Sequence, residues 1–291
     1  MSIHERASDG RQLLLYGVLV ALIGFYLLPI EIGLMTSLKM NPLSTAPFLP
    51  PGLDGFTLEK WRQAFSQLAN GLFNSLVLAI PATILSALLG STAAYGLTTL
   101  NWRGQMPILV LFIAGIFIPY QAVLIPLSKF WAVYLPLDEL LQTVWGLPML
   151  EPYHGDLLAL IISHVAYGIP ITTLLFRTYY RNFSVEMIEA ARLDGATPIR
   201  IYWRIILPLS VPMFAVTLIY QFTQVWNDLL FALVVVGPGE GAPVTVPLSQ
   251  LGASLSEIGF GVRMAGAFIA ALPTIVVYIM FGEQFAKGVA T

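Results

Sequence analysis

The chain has 291 residues, 57% hydrophobic and only 10% charged, with 14 Lys+Arg against 16 Asp+Glu and a formal net charge of −2. Soluble domains carry roughly a quarter charged residues and under half apolar ones, so a water-soluble enzyme, a nucleic-acid binder and a disordered chain are excluded. Zero Cys excludes disulfide frameworks and thiolate metal sites, and three His leave little material for any metal site.

A bilayer core of about 30 Å takes about 20 apolar residues of helix. Six stretches meet that length: residues 13–35, 72–97, 107–127, 157–176, 209–236 and 264–281. None shows the period-2 alternation of barrel strands, so the chain reads as an all-α integral membrane protein with six transmembrane helices. The first run, 23 residues long behind Arg6 and Arg11, exceeds the roughly 7–15 apolar residues of a signal-peptide core and reads as a retained signal anchor. Residues 36–71 begin as a polar, Pro- and Gly-rich stretch, and 56–69 read as a short amphipathic helix. Residues 137–150 are too short to span and carry Asp138, Glu139 and Pro148, which suits an interfacial or external helix. Residues 237–262 open on the turn cluster Gly237-Pro238-Gly239-Glu240-Gly241.

Lys and Arg orient the spans. With the N-terminus inside, the inner segments hold Arg6, Arg11, Arg103, Arg177, Arg181, Arg192, Arg200, Arg204 and Lys287, and the outer ones Lys39, Lys60, Arg62, Lys129 and Arg263. That places residues 1–12 and 286–291 in the cytoplasm, on either side of a six-helix transmembrane domain at 13–285.

The inner segment between the fourth and fifth spans carries the most information. Ser184 is placed to cap a helix whose early turns hold Glu186 and Glu189, where the macrodipole favours acids. Gly195 is placed to end that helix in a left-handed conformation, and Thr197-Pro198 to open another. Pro208 marks the start of the fifth span. Ala190, Ala191, Gly195 and Ala196 form a low-relief surface that a second protein can approach. The plainer reading is a solvated amphipathic helix with a Glu189–Arg192 pair worth about 0.3 kcal/mol.

The run Glu189-Ala190-Ala191-Arg192-Leu193-Asp194-Gly195-Ala196, followed by Ile206-Leu207-Pro208, resembles the EAA loop of ABC importer permeases. Its fuller context resembles the carbohydrate-uptake branch, in the class of the smaller maltose-transporter membrane subunit. Asn74-Ser75-Leu76, Ala93-Ala94-Tyr95-Gly96, Ile118-Pro119, Ile125-Pro126-Leu127 and Trp226-Asn227-Asp228 extend the resemblance, and residues 164–177 look most like permeases for glucose or related monosaccharides.

The resemblance implies the ABC type I importer permease fold and a cytoplasmic coupling loop at 184–208. It implies a heterodimer with a second, similar membrane subunit. Two cytoplasmic ATPase subunits would dock at Glu186, Glu189, Ala190, Ala191, Asp194, Gly195 and Ala196, and an extracytoplasmic sugar-binding protein would deliver the solute. The location implied is a prokaryotic inner or plasma membrane. No GxxxxGK[ST] loop is present, so ATP and Mg would belong to the ATPase subunits and no cofactor to this chain.

Ionisable groups inside spans are functional candidates. Asp228 with Asn227 and Trp226 offers hydrogen bonds and an aromatic face to a sugar; the alternative is that the pair bonds to neighbouring helices and shapes a kink. Asn74, Tyr120 and Gln121 are further pathway candidates. Glu31 lies near the outer interface, and a lone His164 on an apolar helix is more often a structural residue than a relay. Pro81, Pro119, Pro170 and Pro273 read as kinks. The competing class is an ion-coupled secondary transporter, which would want charged coupling sites near the midplane.

Overall fold

The computed structural model describes residues 3–43, 45–145, 147, 151–251 and 257–289. Among them the backbone is helical, apart from turns and one isolated antiparallel bridge between Lys39 and Phe56. Four helices are long and apolar enough to cross a membrane, and two bent helix pairs raise the number to six if each pair counts as one span. The chain divides into two compact units, residues 1–68 with 248–270, and residues 69–247 with 271–291.

In the first unit, α1 (Ile3–Leu38) contains the first apolar run, and its described side chains from Arg11 to Ile30 are exposed. The polar stretch beyond it is held by a buried ammonium. Lys39, 1% exposed, donates from Nζ to the carbonyls of Ala46 (2.7 Å) and Pro47 (3.2 Å). Met40 N–H donates to Gly55 and Thr57 N–H to Leu38. Residues 56–69 do not form a separate amphipathic helix. Thr57 Oγ1 accepts from Glu59 N–H at 3.1 Å and opens α2 (Glu59–Thr98), a single 40-residue helix that begins here and continues as the second span. Trp61 donates to Ser37 Oγ at 3.0 Å and stacks on Phe268 of α13 (Glu257–Val289), which contains the sixth apolar run.

The second unit contains the two departures that matter most. The third apolar run is not one rod: α3 (Gln105–Phe117) and α4 (Tyr120–Lys129, continued by a π-helical turn Phe130–Tyr134) meet at 99°. Pro119 has no N–H to donate, and the residue before a proline is pushed out of the helical region, here to φ −65°, ψ 125° at Ile118. The fifth run is broken at both ends. A segment from α9 (Pro198–Ile201) through a π-helical turn (Tyr202–Ile206) and α10 (Leu207–Leu209) turns by 76° into α11 (Val211–Trp226). The expected continuation to 236 stops at Trp226, and a π-helical turn Ala232–Val236 follows after Asn227 and Asp228.

Within 137–150 the described residues form two single turns, α5 (Leu137–Leu140) and α6 (Gln142–Trp145); residues 146 and 148–150 lie outside the described residues. The fourth run lies within α7 (Tyr153–Tyr180). Pro81, Pro170 and Pro273 stay inside α2, α7 and α13. A core of Ala87, Ala94, Tyr95, Phe176, Tyr180, Ile188, Ile201, Tyr202, Ile206 and Met213 packs the ends of α2 and α7 against the loop that follows α7.

Candidate functional site

A cavity of about 540 Å³ lies where α3, α4, α7 and α11 come together. On α7 it is lined by His164, Tyr167, Gly168 and Ile171, and on α11 and its extension by Tyr220, Gln221, Gln224, Asn227 and Asp228. Both sets follow helical spacing, so each is one face of its helix. Gly168 is required by close approach: a Cβ there would stand 2.3 Å from Gln221 Nε2 and 2.7 Å from Ser86 Oγ.

Asp228 organises the break. Its carboxylate accepts from Tyr120 Oη, from Ala232 N–H at 3.2 Å and from Phe231 N–H at 3.4 Å, and so caps the helical turn that restarts the chain. Its own carbonyl accepts from Thr245 Oγ1 at 2.7 Å, while Thr223 C=O accepts both the N–H and the Nδ2 of Asn227. The backbone groups freed by the interruption are thereby satisfied, as they must be in an apolar surround. His164 Nε2 stands 3.4 Å from Asp228 Oδ2, both side chains being under a tenth exposed, yet it has no hydrogen-bond partner among the described residues. Tyr120 stacks on Phe231 at 4.4 Å between ring centroids, with Tyr167 edge-on to both. No Lys or Arg lines the cavity among the described residues.

Of the sequence candidates, Tyr120, Asn227 and Asp228 meet at this cavity. Trp226 does not: it is 3% exposed and stacks on Phe222, so the aromatic surface comes from Tyr120, Tyr167 and Tyr220 instead. Gln121 is exposed and off the lining. Asn74 lies elsewhere, its Nδ2 donating to the carbonyls of Glu240 (2.7 Å) and Ala242 (3.3 Å) at the edge of a smaller cavity of about 200 Å³. The turn cluster 237–241 is thus latched to α2, with Ser75 Oγ accepting from Val244 N–H. Tyr167, Tyr220, Gln221 and Gln224 are additions; polar residues at helical spacing inside apolar runs were the signal that marks them.

The loop after α7 forms a second constellation. Its helix α8 (Val185–Leu193) buries Ile188 and exposes Glu186, Glu189 and Ala190. Ser184 occupies the cap position but its side chain makes no cap bond. Gly195 ends the helix at φ 78°, a left-handed bend closed by Ala196 N–H donating to Ala191 C=O at 3.0 Å, and a Cβ built at Gly195 would meet no atom within 4 Å. Thr197 Oγ1 accepts from Arg200 N–H at 3.4 Å, and Pro198 opens α9. Arg192 turns away from Glu189 and donates to Thr99 C=O at 2.8 Å. Leu193, Ile199 and Trp203 add exposed apolar surface beside the acids (89, 68 and 56%).

Residues 86–288 match the family of binding-protein-dependent transport system inner membrane components. A xylose/arabinose import permease protein of Haloferax volcanii is 50% identical over 286 residues, covering 97% of this chain and 93% of that protein. A glucose import system permease protein of Saccharolobus solfataricus is 29% identical over 273 residues, 90% and 88% of the two chains. Among solved structures, a bacterial alginate ABC transporter in complex with an alginate pentasaccharide-bound periplasmic protein aligns with TM-score 0.68 and 16% identity over 96% of both chains. The chain belongs to the family of binding-protein-dependent transport system inner membrane components and has the all-helical fold of an ABC type I importer permease.

Proposed function

We propose that this inner membrane component is the permease subunit of an ATP-driven importer for a neutral sugar of monosaccharide size. It is a transport subunit and not an enzyme. The observation that carries the sugar reading is the lining of the 540 Å³ cavity: amides, hydroxyls and aromatic faces, with no cation and with a single carboxylate already engaged by its own backbone and by Tyr120. Amides and hydroxyls pair with sugar hydroxyls and aromatic faces with the C–H surface, and the volume is that of a small-molecule site. An acidic sugar would want a lining Lys or Arg. The relatives named for xylose/arabinose and for glucose import carry neutral monosaccharides in their names. His164 Nε2 and Gln221 are the groups we assign to the sugar, beside Tyr167 and Gln224.

The proposal extends to the rest of the assembly. A second, similar membrane subunit completes the pathway, a binding protein delivers the solute from outside, and two cytoplasmic ATPase subunits carry ATP and Mg. They press on the exposed face of α8, with Glu186, Glu189, Ala190, Ala191, Asp194, Gly195 and Ala196 at the contact. Both termini lie in the cytoplasm and the chain spans the membrane six times, each bent pair serving as one span. ATP binding closes the motor, and rigid-body rocking of the bundles opens the cavity outward. An ion-coupled mechanism has no support, since the chain belongs to a binding-protein-dependent family and relatives are permease proteins of ABC transporters.

The test is uptake of labelled xylose, arabinose, glucose and a disaccharide into proteoliposomes containing the full complex, the binding protein and internal ATP. Import of a monosaccharide that needs both nucleotide and binding protein is expected. Import by this chain without nucleotide, or preference for an acidic sugar, refutes the proposal.

A further inference from the structure

Ser91 and Tyr95, four residues apart, share one face of α2 near its end, and Thr99 follows just beyond the helix, its N–H donating to Tyr95 C=O at 2.9 Å. Each bonds to a different part of the loop that follows α7. Ser91 Oγ lies 2.9 Å from Tyr202 Oη, Tyr95 Oη donates to Pro198 C=O at 3.0 Å, and Thr99 C=O accepts from Arg192 at 2.8 Å. As α2 advances, the partners run backwards along the loop, so the loop lies antiparallel to the helix end. The last two bonds straddle Gly195. One holds the chain before the bend, the other after it, and both anchor at the end of the same helix.

The fully buried end of this ladder is a cluster of three hydroxyls. Ser91 is 0% exposed, and its Oγ also lies 2.6 Å from Tyr180 Oη at the end of α7. Tyr179 Oη donates to Leu209 C=O at 3.0 Å, tying α7 to the far end of the same loop. The rings of Tyr95 and Tyr202 pack at 5.5 Å. None of these hydroxyls reaches the exposed face of α8, so their bonds are not docking contacts.

A bend at a glycine whose Cβ side is open flexes there when α8 is pushed, unless its two arms are braced. We propose that Ser91, Tyr95 and Tyr202 are positioning residues that brace the Gly195 bend and join the loop to α2 as one body. A push on α8 then moves α2 instead of folding the loop at Gly195. The inference rests on the reading that a motor presses on α8, and it adds the residues that carry the displacement onward.

The experiment compares the intact complex, reconstituted with its binding protein, carrying Tyr95→Phe, Tyr202→Phe or Ser91→Ala, with Thr92→Ala on the exposed side of α2 as control. Sugar imported per ATP hydrolysed and co-purification of the ATPase subunits are both measured. The expected result is undiminished co-purification, continued ATP hydrolysis and a transport yield per ATP lowered about fivefold or more, the factor one hydrogen bond commonly represents. Thr92→Ala keeps the parental yield. Should Ser91→Ala fail to assemble, Tyr95→Phe, which removes a single oxygen, decides. A parental yield per ATP in the Tyr→Phe variants overturns the proposal, as does loss of the ATPase subunits from them. If the parental complex itself imports no sugar with ATP, the functional reading fails instead.

Discussion

Two of the three interruptions in the apolar runs are bonded to each other. Tyr120 is the first helical residue after the 99° break at Ile118–Pro119, and Asp228 follows the break at Trp226. Tyr120→Phe deletes the hydroxyl and leaves the ring stacked on Phe231. The loss is one hydrogen bond to a carboxylate, about 1.5–3 kcal/mol. Asp228→Ala strands the Tyr120 hydroxyl and the N–H groups of Phe231 and Ala232, and a buried donor left unsatisfied costs about 1–3 kcal/mol. The double variant loses the Tyr120–Asp228 bond only once, so it falls short of the summed single losses by about 1.5 kcal/mol or more. The measurement is unfolding of the purified chain in mixed micelles across a dodecyl sulfate titration, for the parent, both single variants and the double. Additivity within about 0.5 kcal/mol would show that hydroxyl and carboxylate are not coupled, and that each break is held independently.

Gly195→Ala places a side chain at φ 78° in open space, so the loss is backbone strain alone, about 1–2 kcal/mol; ATPase co-purification should fall for Ala and be largely spared by Gly195→Asn, and equal behaviour of the two would refute a left-handed requirement. Gly168→Ala drives a methyl into Gln221 and Ser86, an overpacking worth about 1–3 kcal/mol that Gln221→Ala should partly relieve in the same unfolding titration. His164→Phe keeps the ring beside Phe231 and removes both imidazole nitrogens, including the Nε2 that stands 3.4 Å from Asp228 Oδ2; half-maximal sugar for stimulated ATP turnover should rise, and an unchanged dose response would remove His164 from the site.

Hydropathy located the apolar runs because their length is imposed by the bilayer, and the loop after α7 was legible because its punctuation is local: Gly195 and Thr197-Pro198 act within one turn of themselves. The bends were less legible. A proline inside an apolar run is compatible with a kink or a break, and Pro81, Pro170 and Pro273 stay within continuous helices where Pro119 does not. Local sequence does not decide between them; whether neighbours satisfy the freed backbone groups does. Trp226 misled for a similar reason. Adjacent in sequence to Asn227 and Asp228, it sits at the end of a helix where successive residues point about 100° apart, and it stacks on Phe222 away from the cavity.

The same bookkeeping separates groups that shape the cavity from groups free to meet a ligand. A break inside an apolar medium requires polar side chains to take up what the backbone loses, so polar residues gather there with or without a ligand. Asp228 and Asn227 have that task, since their side-chain atoms are engaged with Phe231, Ala232 and Thr223. A sugar hydroxyl competing for the Asp228 carboxylate would have to uncap a helical turn. His164 Nε2 is held more loosely: its one polar neighbour among the described residues is Asp228 Oδ2 at 3.4 Å, in a geometry that makes no hydrogen bond. On the proposed reading the acid in the membrane span is the scaffold, and the histidine beside it is the group that meets the sugar. Substituting Asp228 should alter the shape of the pathway for every sugar alike, whereas substituting His164 should alter discrimination among sugars that differ in one hydroxyl.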